Sequence, residues 1–185
     1  MTYLQIPVCE GQTMLKLIEI IGKTVICICA VWAFSLISVL LHEFGHALGY
    51  MLVTGDRHWH IEVGQGKKLL DTKALTVKMF VIDGFFIPDE NKTDSTAQLV
   101  MTLAGGPVMS LLLVTGLLVL KFGGIPLFSD VFASGMMTIL FFIALIINLF
   151  ILLWSVIPAN GFFRNMEDVG TDMMQIISAL KHPRD

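Results

Sequence analysis

Three stretches of this chain carry no formal charge over lengths that match a lipid bilayer, and this limits the fold more than any other feature. A hydrocarbon core about 30 Å thick is crossed by about 20 apolar residues at about 1.5 Å of helix rise each. Residues 24–41 are uncharged, and the apolar pattern runs on through HEFGHALGYMLVTG to Gly55. Residues 97–120 and 133–157 are also uncharged. The expected fold class is therefore an all-α integral-membrane protein: a three-span helical core (about 24–55, 97–120 and 133–157) with a small membrane-associated β insert at about 57–90. Composition agrees, since 55% of the 185 residues are hydrophobic and 15% charged, too little charge to cover a soluble surface. The length fits a single domain, residues 1–185.

The first run sits where a signal peptide would. No polar cleavage region follows it, so a retained signal anchor is expected. Residues 1–23 read as a mixed segment carrying Glu10, Lys16, Glu19 and Lys23, and residues 158–185 as a charged tail. The net charge of -3 comes without a basic stripe, which excludes a nucleic-acid partner. Cys9, Cys27 and Cys29 have no metal-site spacing, and an odd count argues against a disulfide framework. Lys16, Lys23 and Lys121 fall on one side of a three-span arrangement and the other nine basic residues on the opposite side. The positive-inside rule then puts the insert and the C-terminus in the cytoplasm. In the insert, residues 58–63 alternate polar and apolar as a half-buried strand does. Gly64-Gln65-Gly66 and Asp83-Gly84 read as turns flanking a second stretch at 75–81.

Leu41-His42-Glu43-Phe44-Gly45-His46 contains H-E-x-x-H. Positions i and i+4 share a helix face, so His42 and His46 can direct two imidazoles at one zinc ion. Glu43, about 100° round the helix, can take a proton from water whose pKa zinc lowers to about 7 and return it to a leaving amine. Two histidines and a glutamate in an apolar span are costly and mark a functional site. Gly45 and Gly49 would let a neighbouring helix approach closely. Catalytic zinc keeps three protein ligands and an open position. The second span offers none and the third only Asn148, whereas the tail offers Glu167, Asp168 and Asp172.

The H-E-x-x-H span, Ala104-Gly105-Gly106-Pro107-Val108-Met109-Ser110 in the next span, and a third span with proline followed by an acid together resemble the site-2 protease family of intramembrane zinc metalloproteases. The resemblance covers nearly the whole chain. It implies a three-helix core, a zinc cofactor, a membrane-protein substrate, and an Asp near the third helix as the last ligand. It also implies strands that receive an unwound substrate, here at 59–63 or 75–81. The chain departs from the family at the third motif. Ser155-Val156-Ile157-Pro158 stands where Asn-x-x-Pro is usual, and no Asp-Gly follows closely. Thr171-Asp172-Met173-Met174-Gln175-Ile176 is similar to a delayed form of the acid motif, which makes Asp172 the third metal ligand, with Asp168 second. Asp172 also suits the first turn of a helix capped by Thr171.

The remaining polar residues have plainer expectations. His58 and His60 belong on a solvated strand face, Trp59 at an interface, and Gly106, Ser110 and Asn148 in helix packing. Residues 171–180 carry an apolar stripe at helical spacing, suited to docking on the protein or the membrane surface. The expected activity is that of a zinc endopeptidase in a prokaryotic cell membrane, with His42, His46 and Asp172 on zinc and Glu43 as the catalytic base. The alternative is an inactive site-2-protease-like membrane protein that binds metal or substrate without cleaving it. A membrane-anchored zincin of another type would need a polar domain that this chain is too apolar to build.

Overall fold

The computed structural model describes residues 9–90, 92–123, 135–158 and 170–183. Its elements are α1 (Cys9–Thr54), β1 (Trp59–Asp71), β2 (Leu75–Pro88), α2 (Thr96–Phe122), α3 (Gly135–Val156) and α4 (Asp172–Lys181). Three helical segments are long and apolar enough to cross a membrane: Gln12–Thr54, Thr96–Phe122 and Gly135–Val156.

α1 departs from expectation at its start. The mixed segment before residue 24 is helical from Cys9, so the 46-residue helix is about 69 Å long. No proline interrupts it, and its charges fall at helical spacing, with Lys23 paired to Glu19 at 2.5 Å one turn away. This first part is largely exposed, and α1 becomes buried from Ser38 to Tyr50. α2 starts with a capping box in which Ser95 and Gln98 exchange hydrogen bonds. The Gln98 amide also donates to the Val53 carbonyl (3.2 Å), tying the start of α2 to the end of α1.

Glycines set the crossing of these two helices. A Cβ on Gly45 would strike the Gly105 carbonyl oxygen, and one on Gly105 would strike that of Gly45. A Cβ on Gly49 would lie 2.7 Å from the Met101 carbonyl oxygen. The backbones touch because neither side carries a side chain, as Gly45 and Gly49 led us to expect. α4 packs on α2 and α3, half-burying Met173, Ile176 and Ile177 while Met174 and Leu180 stay exposed.

β1 and β2 form an antiparallel hairpin in the expected place, but its interior differs from the expected one. The two glycine sites are not chain-reversing turns. Gly64 (φ +83°) and Gly66 (φ +88°) bend β1 in the left-handed region that favours glycine, and Gly84 lies within β2 opposite Val63. Ile61, Glu62 and Val63 pair twice, with Phe86, Phe85 and Gly84 and with Leu75, Thr76 and Val77. The hairpin thus doubles back on itself, and the Ile61 amide donates to the Ala74 carbonyl (2.9 Å). Ile61 and Val63 join Val39 and Ala47 of α1 in the apolar core. This contact holds the hairpin along the buried half of α1.

Candidate metal centre

His42 and His46 lie one turn apart on the buried part of α1, with ring centroids 5.0 Å apart and planes at 83°. Asp172 is the first residue of α4. Its Oδ2 is 3.2 Å from His42 Nε2 and its Oδ1 3.4 Å from His46 Nε2. One ligand atom from each of the three falls within 4.8 Å of the others, so the group can hold a metal ion. Thr171 caps α4, accepting from the Met174 amide, and its own hydroxyl donates to the Ile157 carbonyl (2.8 Å) at the end of α3. The cap aims Asp172 at the histidines, so the N-terminal and ligand expectations for this stretch are compatible. Asp168 and Glu167 lie outside the described residues.

The far nitrogens of both imidazoles are held. His46 Nδ1 is 3.0 Å from the Thr102 carbonyl oxygen. A carbonyl only accepts, so Nδ1 carries the proton. In the neutral ring Nε2 then presents a lone pair to the cluster. His42 Nδ1 pairs with Ser110 Oγ at 2.8 Å, and Ser110 is 1% exposed. Metal-bound histidines are oriented by such partners on the second nitrogen. Two neutral imidazoles and a carboxylate bring three acceptors together, which repel unless a cation lies between them. Two imidazoles and one carboxylate form a donor set that zinc accepts, with a fourth position left open.

Room for an ion is kept by Gly106, where a Cβ would collide with His46 Nε2 and come within 2.7 Å of His42 Nε2. Gly106 and Ser110 therefore do more than the packing expected of them. The signal that could have singled out Ser110 is chemical: a ligating histidine needs a partner for its second nitrogen, and a hydroxyl on the neighbouring span can supply one.

Glu43 is buried beside this cluster and lines the same cavity as Phe86. A Cβ on Gly84 would lie 2.8 Å from Glu43 Oε1, so the backbone of β2 rests on the glutamate. A cavity of about 240 Å³ opens over His42, Glu43, His46 and Asp172, walled by β2 at 82–86 and by Phe150 and Trp154 of α3. The edge of β2 along the cavity is open. Asp89 N donates to His58 O, and bonding alternates along an antiparallel ladder. The peptide groups of Phe86 and Gly84 therefore turn away from β1. Among the described residues no strand pairs with that edge. Of the docking strands expected from sequence, residues 61–63 and 75–77 are paired on both sides, whereas 59–60 and 78–81 have no partner strand on their second side among the described residues.

The other singled-out residues lie apart from the cluster. His58 pairs with Asp56 (2.7 Å), and His60 with the Lys73 carbonyl and Thr76 Oγ1. Asn148 donates to Ala144 O within α3. Ser155 lines the cavity, its hydroxyl donating to Leu152 O. Comparison with protein-family models, curated proteins and solved structures finds no match to this chain.

Proposed function

We propose that this chain is an integral-membrane zinc metalloprotease of the site-2 protease type, hydrolysing peptide bonds in or near transmembrane segments of other membrane proteins. One observation carries the reading: His42, His46 and Asp172 converge within 4.8 Å while Glu43, on the same helix, faces the same cavity. A site meant only to store metal needs the three ligands and has no use for a buried glutamate beside them.

When bound, zinc supplies Lewis-acid activation of water and of the scissile carbonyl. Ser110 and the Thr102 carbonyl hold the two imidazoles in register. Glu43, buried against the backbone of β2 at Gly84, accepts the proton of the attacking water and delivers it to the leaving amine. A helical substrate hides its carbonyls in its own hydrogen bonds, so it must unwind. The open edge of β2 at Gly84 and Phe86 offers backbone partners to the unwound segment, a β-augmentation that lays it along Glu43. The protein resides in a prokaryotic cell membrane with its C-terminus in the cytoplasm; a compartment-sensitive reporter fused there should give a cytoplasmic signal.

The test is cleavage of a reconstituted membrane substrate by wild type and Glu43→Gln. Product from wild type alone is expected. Equal product from both would remove the proteolytic reading and leave a membrane protein that binds metal or substrate without cleavage.

A further inference from the structure

One acid in the cavity wall has no part in the chemistry above. Asp83 of β2 lines the cavity, yet the residue is only 7% exposed. Its Oδ2 accepts from the Gln65 amide at 2.6 Å, which fixes the carboxylate's orientation. Its Oδ1 is buried and has no hydrogen-bond partner among the described residues. Two lysines of the hairpin are committed elsewhere, Lys78 to Glu62 and Lys68 to Asp71. A buried carboxylate oxygen without a donor is costly, and a donor brought by a ligand recovers that cost.

We propose that Asp83 is a specificity-determining residue that takes the lysine or arginine side chain of a substrate segment docked on the open edge of β2. The inference rests on the proteolytic reading given above. A strand added to that edge places one residue across from Asp83 on the same sheet face, with Cβ atoms about 4.5–5.5 Å apart. Gly84, the next residue, lies against Glu43, so the selected side chain belongs within about two residues of the scissile bond. The apolar wall of Phe85, Phe150 and Trp154 suits the hydrocarbon stem of a long basic side chain. A cationic donor is favoured over a neutral one because charge-assisted hydrogen bonds are about twice as strong.

The experiment uses the full chain, zinc-loaded and detergent-solubilised, with three fluorescein-labelled apolar heptapeptides whose central residue is lysine, norleucine or glutamate. Binding is read by anisotropy in the Glu43→Gln background, and cleavage in the otherwise wild-type protein. The lysine peptide is expected to bind at least about tenfold more tightly than the norleucine peptide. Asp83→Asn, which keeps the shape and the zinc content, should shrink that preference to within about threefold. Gln65→Leu, which frees the carboxylate to turn, should weaken it in the same direction. Equal binding of lysine and norleucine peptides by the Glu43→Gln protein, a preference unchanged in Asp83→Asn, or no binding of any peptide would overturn the role of Asp83. Selective binding without cleavage would defeat the protease reading and leave the Asp83 assignment standing. Cleavage of all three peptides at equal rates would do the reverse.

Discussion

His42 and His46 reach the cluster from a 46-residue helix clamped against α2, whereas Asp172 reaches it from the first residue of a ten-residue helix. On the clamped side every degree of freedom is used. Gly45 meets Gly105, Gly106 abuts both Nε2 atoms, and each Nδ1 is hydrogen-bonded to α2. On the other side the Thr171 cap, its bond to Ile157 and the packing of α4 on α2 and α3 set the carboxylate. The contrast separates two tasks. Imidazoles that hold a metal ion such as zinc need fixed directions, because the bonds to nitrogen are short. The third ligand comes from a separate short helix, placed by its cap and by side-chain packing rather than by backbone contact between helices.

The largest effect should come from the clamp. Gly106→Val puts a branched side chain where the ion would lie, and zinc retention should vanish; retention of zinc would show that the ion sits elsewhere. Gly45→Val drives a Cβ into the α2 backbone. It should destabilise the fold by more than about 3 kcal/mol, a cost set by overpacking at a contact that cannot relax. Unfolding in mixed micelles measures it, and a loss under about 1 kcal/mol would mean the crossing is not set by this contact. Ser110→Ala frees His42 Nδ1 and should weaken zinc binding by about 10- to 100-fold with the fold intact. The α4 side should respond less. Thr171→Ala removes a helix cap and should cost about 1 kcal/mol, with a few-fold loss of zinc affinity, and Thr171→Ser should restore both. An effect as large as that of Gly106→Val would erase the asymmetry.

The smallest effect concerns Asp56, just beyond α1. Hydrogen bonds from Lys92 and then His58 hold its carboxyl well below the usual carboxylate range. A depressed folded pKa adds stability above the ordinary value near 3.8 and loses it as pH falls through the folded value. The Tm of wild type should therefore drop more steeply with acid than that of Asp56→Asn. Parallel curves would remove the contribution.

These contrasts also mark what could be read in advance. H-E-x-x-H at helical spacing named three site residues, because i and i+4 are local. The three apolar helices and the hairpin's place in the chain were equally visible, since both rest on periodicity and length. The open edge of β2 was not. Residues 59–63 and 75–81 look like better strands than Asp83-Gly84, and only the doubled-back pairing, which is non-local, uses up the edges of 61–63 and 75–77. Gly84 read as a turn because glycine most often marks one, yet here its missing Cβ makes room for Glu43. The early start of α1 was missed because Glu10, Lys16, Glu19 and Lys23 break an apolar run without breaking a helix. Asp172 could be reached only through a motif resemblance, with no local spacing to join it to His42 across 130 residues.

The most direct test of the three-ligand centre is zinc stoichiometry, read by mass spectrometry after dialysis against a mild chelator. Wild type, Asp168→Ala and Asp172→Ala are compared as full-length chains. Wild type and Asp168→Ala should each hold about one zinc per chain, and Asp172→Ala far less, as expected when one of three ligands is removed. Full zinc in Asp172→Ala, or its loss in Asp168→Ala, would contradict the centre described here.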